Sequence, residues 1–344
     1  MIIIKKNILS LFILISLFGC MDPSSEDLWS ISVDATLQTI GFARDVDIDG
    51  NSAIIAAGQS GIQIWDLPTL SMSSGFTGYE EGGTFLEFSD VSLVGVDTEN
   101  NLIFASEAND DVKIFHHDTN NDLAYRNTIM SARTKDFVSF YTMPGQFVMY
   151  TADNDDGMKW HYYNLDTTSS FGIEFIEWTP FGGSEIYTPG KPMGIDSDGS
   201  SYIAMAVDQL GVELFSIDSV GSVPELVGRI DTEGNAEKVT MVTEGVYVAC
   251  DDAGAAFIPI ESFSSDNMTY RFAEDLTVDH IAINGNIASL TLGSKGIALY
   301  DVSDPTSPLE KGIFPVGYSY RSVFWEDKLL VCTREGLQVI TIEQ

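Results

Sequence analysis

Basic residues are scarce in this chain: 17 Lys and Arg stand against 51 Asp and Glu among 344 residues, for a net charge of −34. Holding a nucleic-acid backbone takes clusters of Lys and Arg. No such cluster occurs, so nucleic acid is excluded as a partner. Histidine is rarer still, with four copies: His116, His117, His161 and His280. A catalytic zinc site needs three close protein ligands. His116 and His117 are adjacent and point to opposite faces of a strand, so only a metal shared with the matching stretch around His161 is open to them. A structural role is the plainer reading. Phosphate loops, dinucleotide fingerprints and Gly-x-Ser-x-Gly elbows are all missing. Disorder is excluded too, although acidity alone points that way, because 44% of the residues are apolar and can fill a core. The acidity itself suits solubility, salt tolerance, cation binding or a basic partner.

What is present begins with Lys5 and Lys6, followed by a mostly apolar run from Asn7 to Phe18 and then Gly19-Cys20. The run is too short for a spanning helix and ends on a small residue, which is the pattern of a secretory signal peptide over 1–19. Leu17-Phe18-Gly19-Cys20 resembles the bacterial lipobox. The resemblance implies cleavage after Gly19 and a diacylglyceryl thioether on Cys20, which makes Cys20 the lipidation site. Residues 20–29 then form a lipidated tether, polar and with Pro and Ser. Met21 rather than Asp after the cysteine implies an outer-membrane address, with the leaflet and facing left open.

A short pattern recurs through the rest of the chain. Gly61-Ile-Gln-Ile-Trp65, Asp111-Val-Lys-Ile-Phe115, Gly157-Met-Lys-Trp160, Gly211-Val-Glu-Leu-Phe215, Gly254-Ala-Ala-Phe-Ile258, Gly296-Ile-Ala-Leu-Tyr300 and Gly336-Leu-Gln-Val-Ile340 are seven copies of one strand, spaced 40 to 54 residues apart. Two further strand patterns precede each copy, joined by Asn-Gly or Asp-type turns that make hairpins. The middle strand of each unit is small and apolar throughout (AIIAAG, YIAMAV, VYVACD), as befits burial on both faces. An all-strand period of this length is that of propeller blades. The expected fold class is therefore all-β: a seven-bladed β-propeller of four-stranded antiparallel blades over residues 30–344, monomeric. The seventh unit shows three strands. The run from Ser30 to Gly41 is expected to supply its fourth and to close the ring. Cys250 and Cys332 fall on equivalent strands two blades apart, too distant for a disulfide, and are expected as buried free thiols.

Gly296-Ile-Ala-Leu-Tyr-Asp-Val-Ser-Asp-Pro305-Thr-Ser-Pro308 resembles the repeat of LVIVD-type propeller proteins. Units one, four, six and seven follow it best, while units two and three depart at Asp111 and at His116-His117. Trp65-Asp66 is similar to the WD40 dipeptide, but no Gly-His partner recurs. The resemblance implies a propeller in an extracytoplasmic setting and brings no catalytic residues with it.

Several groups stand out as candidate sites. Asp45-x-Asp47-x-Asp49-Gly50 has the opening spacing of a calcium loop, but Ala56 stands where the bidentate Glu belongs, and strand alternation reads these carboxylates as a solvated strand face. Asp153-Asn154-Asp155-Asp156-Gly157 and Asp118-Thr-Asn120-Asn121-Asp122 are oxygen-rich turns. Calcium suits Asp153, Asp155 and Asp156, and turn chemistry alone selects the same residues. Unit three carries Tyr162, Tyr163, Phe175, Trp178 and Phe181 with Glu174, Glu177 and Glu185 in a long insertion, Asn164–Met193, read as a loop for a protein or glycan partner; ordinary blade packing uses aromatics equally well. The first strand of each blade lines the central channel. There Arg44, Asp45, Asp136, Asp196, Lys238, Asp279, His280 and Arg321 are expected. Two functions follow. The first is a non-enzymatic envelope lipoprotein that uses the loop-rich face of units one to three as a binding scaffold. The alternative is a metal-dependent hydrolase or lyase working at the channel. Fold alone does not choose between them.

Overall fold

The computed structural model describes residues 28–117, 122–170, 173–265 and 268–344. Cys20, the signal peptide and most of the turn beginning at Asp118 lie outside them.

Seven four-stranded antiparallel sheets follow one another along the chain. Blade one comprises Asp45–Asp49, Ser52–Ala56, Ile62–Asp66 and Ser71–Phe76, from the axis outward. Blade two is Val91–Asp97, Leu102–Glu107, Val112–His117 and Leu123–Ile129, and blade three is Thr134–Met143, Gln146–Asp153, Gly157–Ser170 and Ile173–Ile186. Blade four is Gly194–Ser197, Tyr202–Ala206, Val212–Ser216 and Glu225–Ile230, and blade five is Lys238–Val242, Gly245–Ala249, Ala255–Pro259 and Tyr270–Phe272. Blade six is His280–Asn284, Ile287–Thr291, Ile297–Asp301 and Leu309–Phe314. In blade seven, Ser319–Trp325, Lys328–Thr333 and Gly336–Glu343 are joined on the outside by Ser30–Leu37, which runs antiparallel to the last strand with Leu37 opposite Leu337. The inner strands pack side by side from blade one through blade seven and back to blade one.

The core of this ring is its seams. Among the described residues seven hydrophobic clusters occur, and each joins two neighbouring blades. The second strands are buried on both faces, with Ala53 to Ala56 and Gly245 to Ala249 wholly enclosed. That is why they carry no polar alternation. Cys250 lies in the seam of blades four and five and Cys332 in that of seven and one, both as free buried thiols. Burial pushes the Cys250 thiol up to about 11.

The repeat glycine has a steric cause. Gly61, Gly157, Gly211, Gly254, Gly296 and Gly336 all have positive φ. A Cβ at Gly296 would stand 2.1 Å from the carbonyl oxygen of Phe314, on its blade's outer strand, and at the other five positions it would meet the corresponding carbonyl. Blade two escapes the constraint by moving the left-handed residue to Asn109. Its Asp111 then uses the side chain Gly lacks, accepting from the Ser131 and Ala132 amides at 2.8 and 2.6 Å.

In blades one, four and seven the variable residue two places after the glycine is a buried tie. Gln63 donates to the Ile40 carbonyl and Gln338 to the Val316 carbonyl, while Glu213 accepts from Thr188 Oγ1. Each of these holds the loop that leads into its own blade. In blades two and three the position is lysine, and it turns instead to carboxylates of its own blade.

Two features depart from the expected organisation. The Asn164–Met193 stretch is mostly paired strand rather than loop, because its third and fourth strands continue past the blade as a two-stranded ribbon to the pair Ser170–Ile173. A further hairpin, Gly78–Glu81 with Thr84–Glu87, sits between blades one and two.

Candidate functional site

The axis is built from one register position of the repeat. Asp45, Asp136, Lys238, His280 and Arg321 each pair with a residue at the end of the neighbouring second strand: Ala56, Ala152, Ala249, Thr291 and Cys332 respectively. Equivalent positions on five blades therefore place five polar side chains at one level. Arg321 Nε lies 3.1 Å from Asp45 Oδ1, at an angle outside hydrogen-bond alignment, and its Nη1 lies 3.8 Å from Asp136. Lys238 Nζ donates to Asp136 Oδ2 and to the Lys135 carbonyl, both at 2.9 Å. Two cations thus meet two carboxylates. Burial, with Arg321 and Lys238 nearby, holds the His280 imidazole well below its usual pKa, so it is neutral.

This layer divides the channel. Below it lies a cavity of about 340 Å³ reached by Asp45, Asp136, Asp196, His280 and Arg321. Above it, where the inner strands begin, is a mouth of about 290 Å³ reached by Arg44, Lys238 and Asp279 as well. All eight residues expected at the channel line one space or the other.

The Asp45-x-Asp47-x-Asp49 run requires a correction. Its carboxylates do not form a solvated face. Asp45 is 2% exposed. The Val94 amide of blade two donates to Asp45, the Val96 amide to Asp47 and the Thr98 hydroxyl to Asp49. Alternate carboxylates of one inner strand therefore fasten alternate residues of the next. Asp196 repeats the device, accepting from Met241 of blade five at 2.8 Å. Burial pushes Asp47 and Asp196 up to about 6, against the pull of these amides. Burial also raises Asp45, with Arg321 opposing it.

At the oxygen-rich turn of blade three, Asp153 and Asp156 both hold the Lys159 ammonium, at 2.9 and 2.8 Å, and Asp155 faces Arg133 at 3.2 Å. A side-chain cation thus stands between the carboxylates considered for calcium. Among the described residues, no group of three or more His, Cys, Asp or Glu is arranged to hold a metal. His161 is half-buried, and its pKa falls to about 4 through desolvation and Lys159. His117 meets Phe76 edge-on.

The aromatics of unit three divide into two groups. Tyr163 and Trp178 are each 2% exposed and pack on Phe147. Phe181 is 52% exposed and touches Tyr162. The hairpin between blades one and two shows the same division: Tyr79 is buried against Tyr125, while Phe85 is 54% exposed. Both insertions contact the outer strand of blade two. Tyr79 stacks on its Tyr125, and its Asn127 donates to the Trp178 carbonyl. They flank one strand and form a rim.

Sequence reasoning missed Lys135, Thr134 and Tyr320 at the mouth. A signal for Lys135 existed: Lys135-Asp136 repeats Arg44-Asp45 at the same place in its blade. The hairpin at Gly78 had no signal in the repeat, since it lies between units.

No family model matches the sequence, and no curated protein sequence matches it. Solved structures share the fold. The WD40 repeats of RRP9 superpose with a TM-score of 0.67 at 10% identity, covering 92% of this chain and 100% of that one. U3-55K gives 0.66 at 11% identity over 91% and 98%. The computationally designed Ika8 protein gives 0.59 at 11% identity over 88% and 97%. At such identities the likeness is one of fold, and the chain is a seven-bladed β-propeller with WD40-repeat proteins among its structural neighbours.

Proposed function

We propose that this propeller is a non-enzymatic scaffold that holds a protein partner on the rim of blades one to three, tethered to a membrane through a lipid on Cys20. The supporting observation is the pair of insertions on either side of the outer strand of blade two. They present Phe85, Leu86, Leu165, Ile176 and Phe181 as exposed apolar side chains among Glu80, Glu81, Glu87 and Glu177. Exposed apolar groups gathered in one region mark association surfaces, and aromatic anchors carry a large share of interface energy. The acidic surround selects a partner with an apolar patch framed by Lys or Arg. The resemblance to LVIVD-type propellers belongs to the same reading, as does the bacterial outer-membrane address. A photo-crosslinking residue at Leu86 or Ile176, both exposed on the same insertions, in cells that make the protein, should trap one predominant partner. Phe85→Ser with Phe181→Ser should abolish the adduct in protein that still folds. Absence of any adduct overturns the scaffold reading. For the anchor, Cys20→Ser should release the protein from the membrane fraction; retention there refutes lipidation.

A further inference from the structure

We propose that the channel mouth binds a small molecule through an anionic oxygen group, a carboxylate or a phosphate, independently of the rim. Four of its lining residues are cationic (Arg44, Lys135, Lys238 and Arg321) and two are carboxylates (Asp45 and Asp279). In the chain as a whole the balance is the reverse, three acids to each base. The layer beneath is balanced, because Lys238 and Arg321 sit on Asp136 and Asp45. One level above it, Arg44 reaches Asp90 at 3.7 Å across a half-exposed gap, and Lys135 donates to a neutral group, the Asn109 side-chain oxygen.

The mouth also holds unspent hydrogen-bonding capacity. Thr134 and His280, 2% and 8% exposed, line it, and among the described residues Thr134 Oγ1, His280 Nδ1 and Arg44 Nε have no hydrogen-bond partner. A neutral imidazole donates from one nitrogen, and the two cations beside His280 keep it in that state. Buried polar atoms without partners are uncommon; with Arg321 Nε, four of the twelve among the described residues belong to residues that line this opening. Arg44 also lies over the ring of Tyr320, another residue of the mouth, 5.4 Å from its centroid. The space is at the small end for ligand sites, so the ligand is metabolite-sized. Asp279 opposes an anion. Burial and Asp251 raise its pKa, and its place in the lining makes its replacement a test of sign.

The test is calorimetric titration of the purified propeller with citrate and with inorganic phosphate, each against sodium chloride of equal ionic strength. At least one anion should bind saturably at one site. Lys135→Met should weaken it tenfold or more, and Asp279→Asn should tighten it. The stronger anion identifies the oxygen group. Phosphate and citrate also stabilise proteins non-specifically by exclusion from their surfaces, so a thermal shift alone does not count. The absence of saturable heat for both anions overturns the proposal, as does equal binding by folded Lys135→Met. The rim variants Phe85→Ser and Phe181→Ser should bind the anion like the wild type, so failure of the scaffold reading leaves this result intact.

Discussion

The Asp47 carboxylate of blade one accepts the Val96 amide of blade two at 2.9 Å, while its other oxygen holds the Ile48 amide at 2.8 Å. One side chain thus fixes two strands across a seam, but as a charge in a desolvated place. Its pKa rises to about 6, as does that of Asp196. The folded protein therefore binds these protons more tightly than the unfolded chain. Relative to acid conditions, stability from these groups is present below about pH 4 and lost as pH rises to about 6. A shift of about two units corresponds to almost 3 kcal/mol per group. Both side chains are half-buried, so water in the channel cuts this to about 1–2 kcal/mol. Asp47→Asn removes the titrating charge and keeps one of the two acceptors. Urea denaturation should show the variant gaining about 1–2 kcal/mol on the wild type between pH 4.5 and pH 7.5. A pH-independent difference refutes the assignment.

Gly296→Ala is expected to destabilise by about 2–4 kcal/mol, since the left-handed φ costs about 1 kcal/mol and the contact with the Phe314 carbonyl forces movement of an outer strand. Gly285→Ala, also at positive φ but with open space around its Cβ position, should cost only about 1 kcal/mol. The difference between the two melting curves reports the carbonyl contact together with the φ 87, ψ −126 backbone of Gly296. Equal losses would mean that a positive φ alone keeps the repeat glycine.

Lys159 stands between Asp153 and Asp156, where a bound cation would sit. Asp153 is fully buried and relies on this ammonium. Lys159→Met should cost about 3 kcal/mol by leaving a buried carboxylate uncompensated. In that variant, millimolar calcium should raise the melting temperature by several degrees, because Asp153 and Asp156 become available to a hard cation. The wild type should respond much less. An equal response in both would place any calcium elsewhere.

Much of the architecture was legible because a steric rule repeats. The glycine is forced wherever an outer-strand carbonyl lies against the third strand, so six of seven copies keep it. Blade two found another solution, and Asp111 looked like decay when it is a cap. The channel residues were legible by strand order, but their roles were not. Asp45 and Asp47 alternate as they would on a wet strand, and nothing local reports that the next blade's amides lie opposite them, 49 residues away. The ribbon of blade three was misread as loop because Thr, Ser and Asp fill its exposed positions, where pairing rather than burial holds the strand. The ligand of the mouth is illegible for a related reason: its groups come from separate blades, and only Lys135-Asp136 repeats a local signal.

The variable position of the repeat offers the last test. Glu213 is 2% exposed and is held by Arg229 and by Thr188. Blades one and seven do the same work with neutral Gln63 and Gln338. Removing the cation with Arg229→Met should leave a buried charge and cost about 2–3 kcal/mol, less than the usual 3–5 kcal/mol because Arg229 is about one-third exposed. Adding Glu213→Gln to that variant should restore more than half of the loss, since Gln still accepts from Thr188 and carries no charge. Urea midpoints of the two variants and the wild type decide it. If the double variant is no better than Arg229→Met, the arginine acts by packing over the strand, and the tie to the entry loop needs neither charge nor its neutralisation.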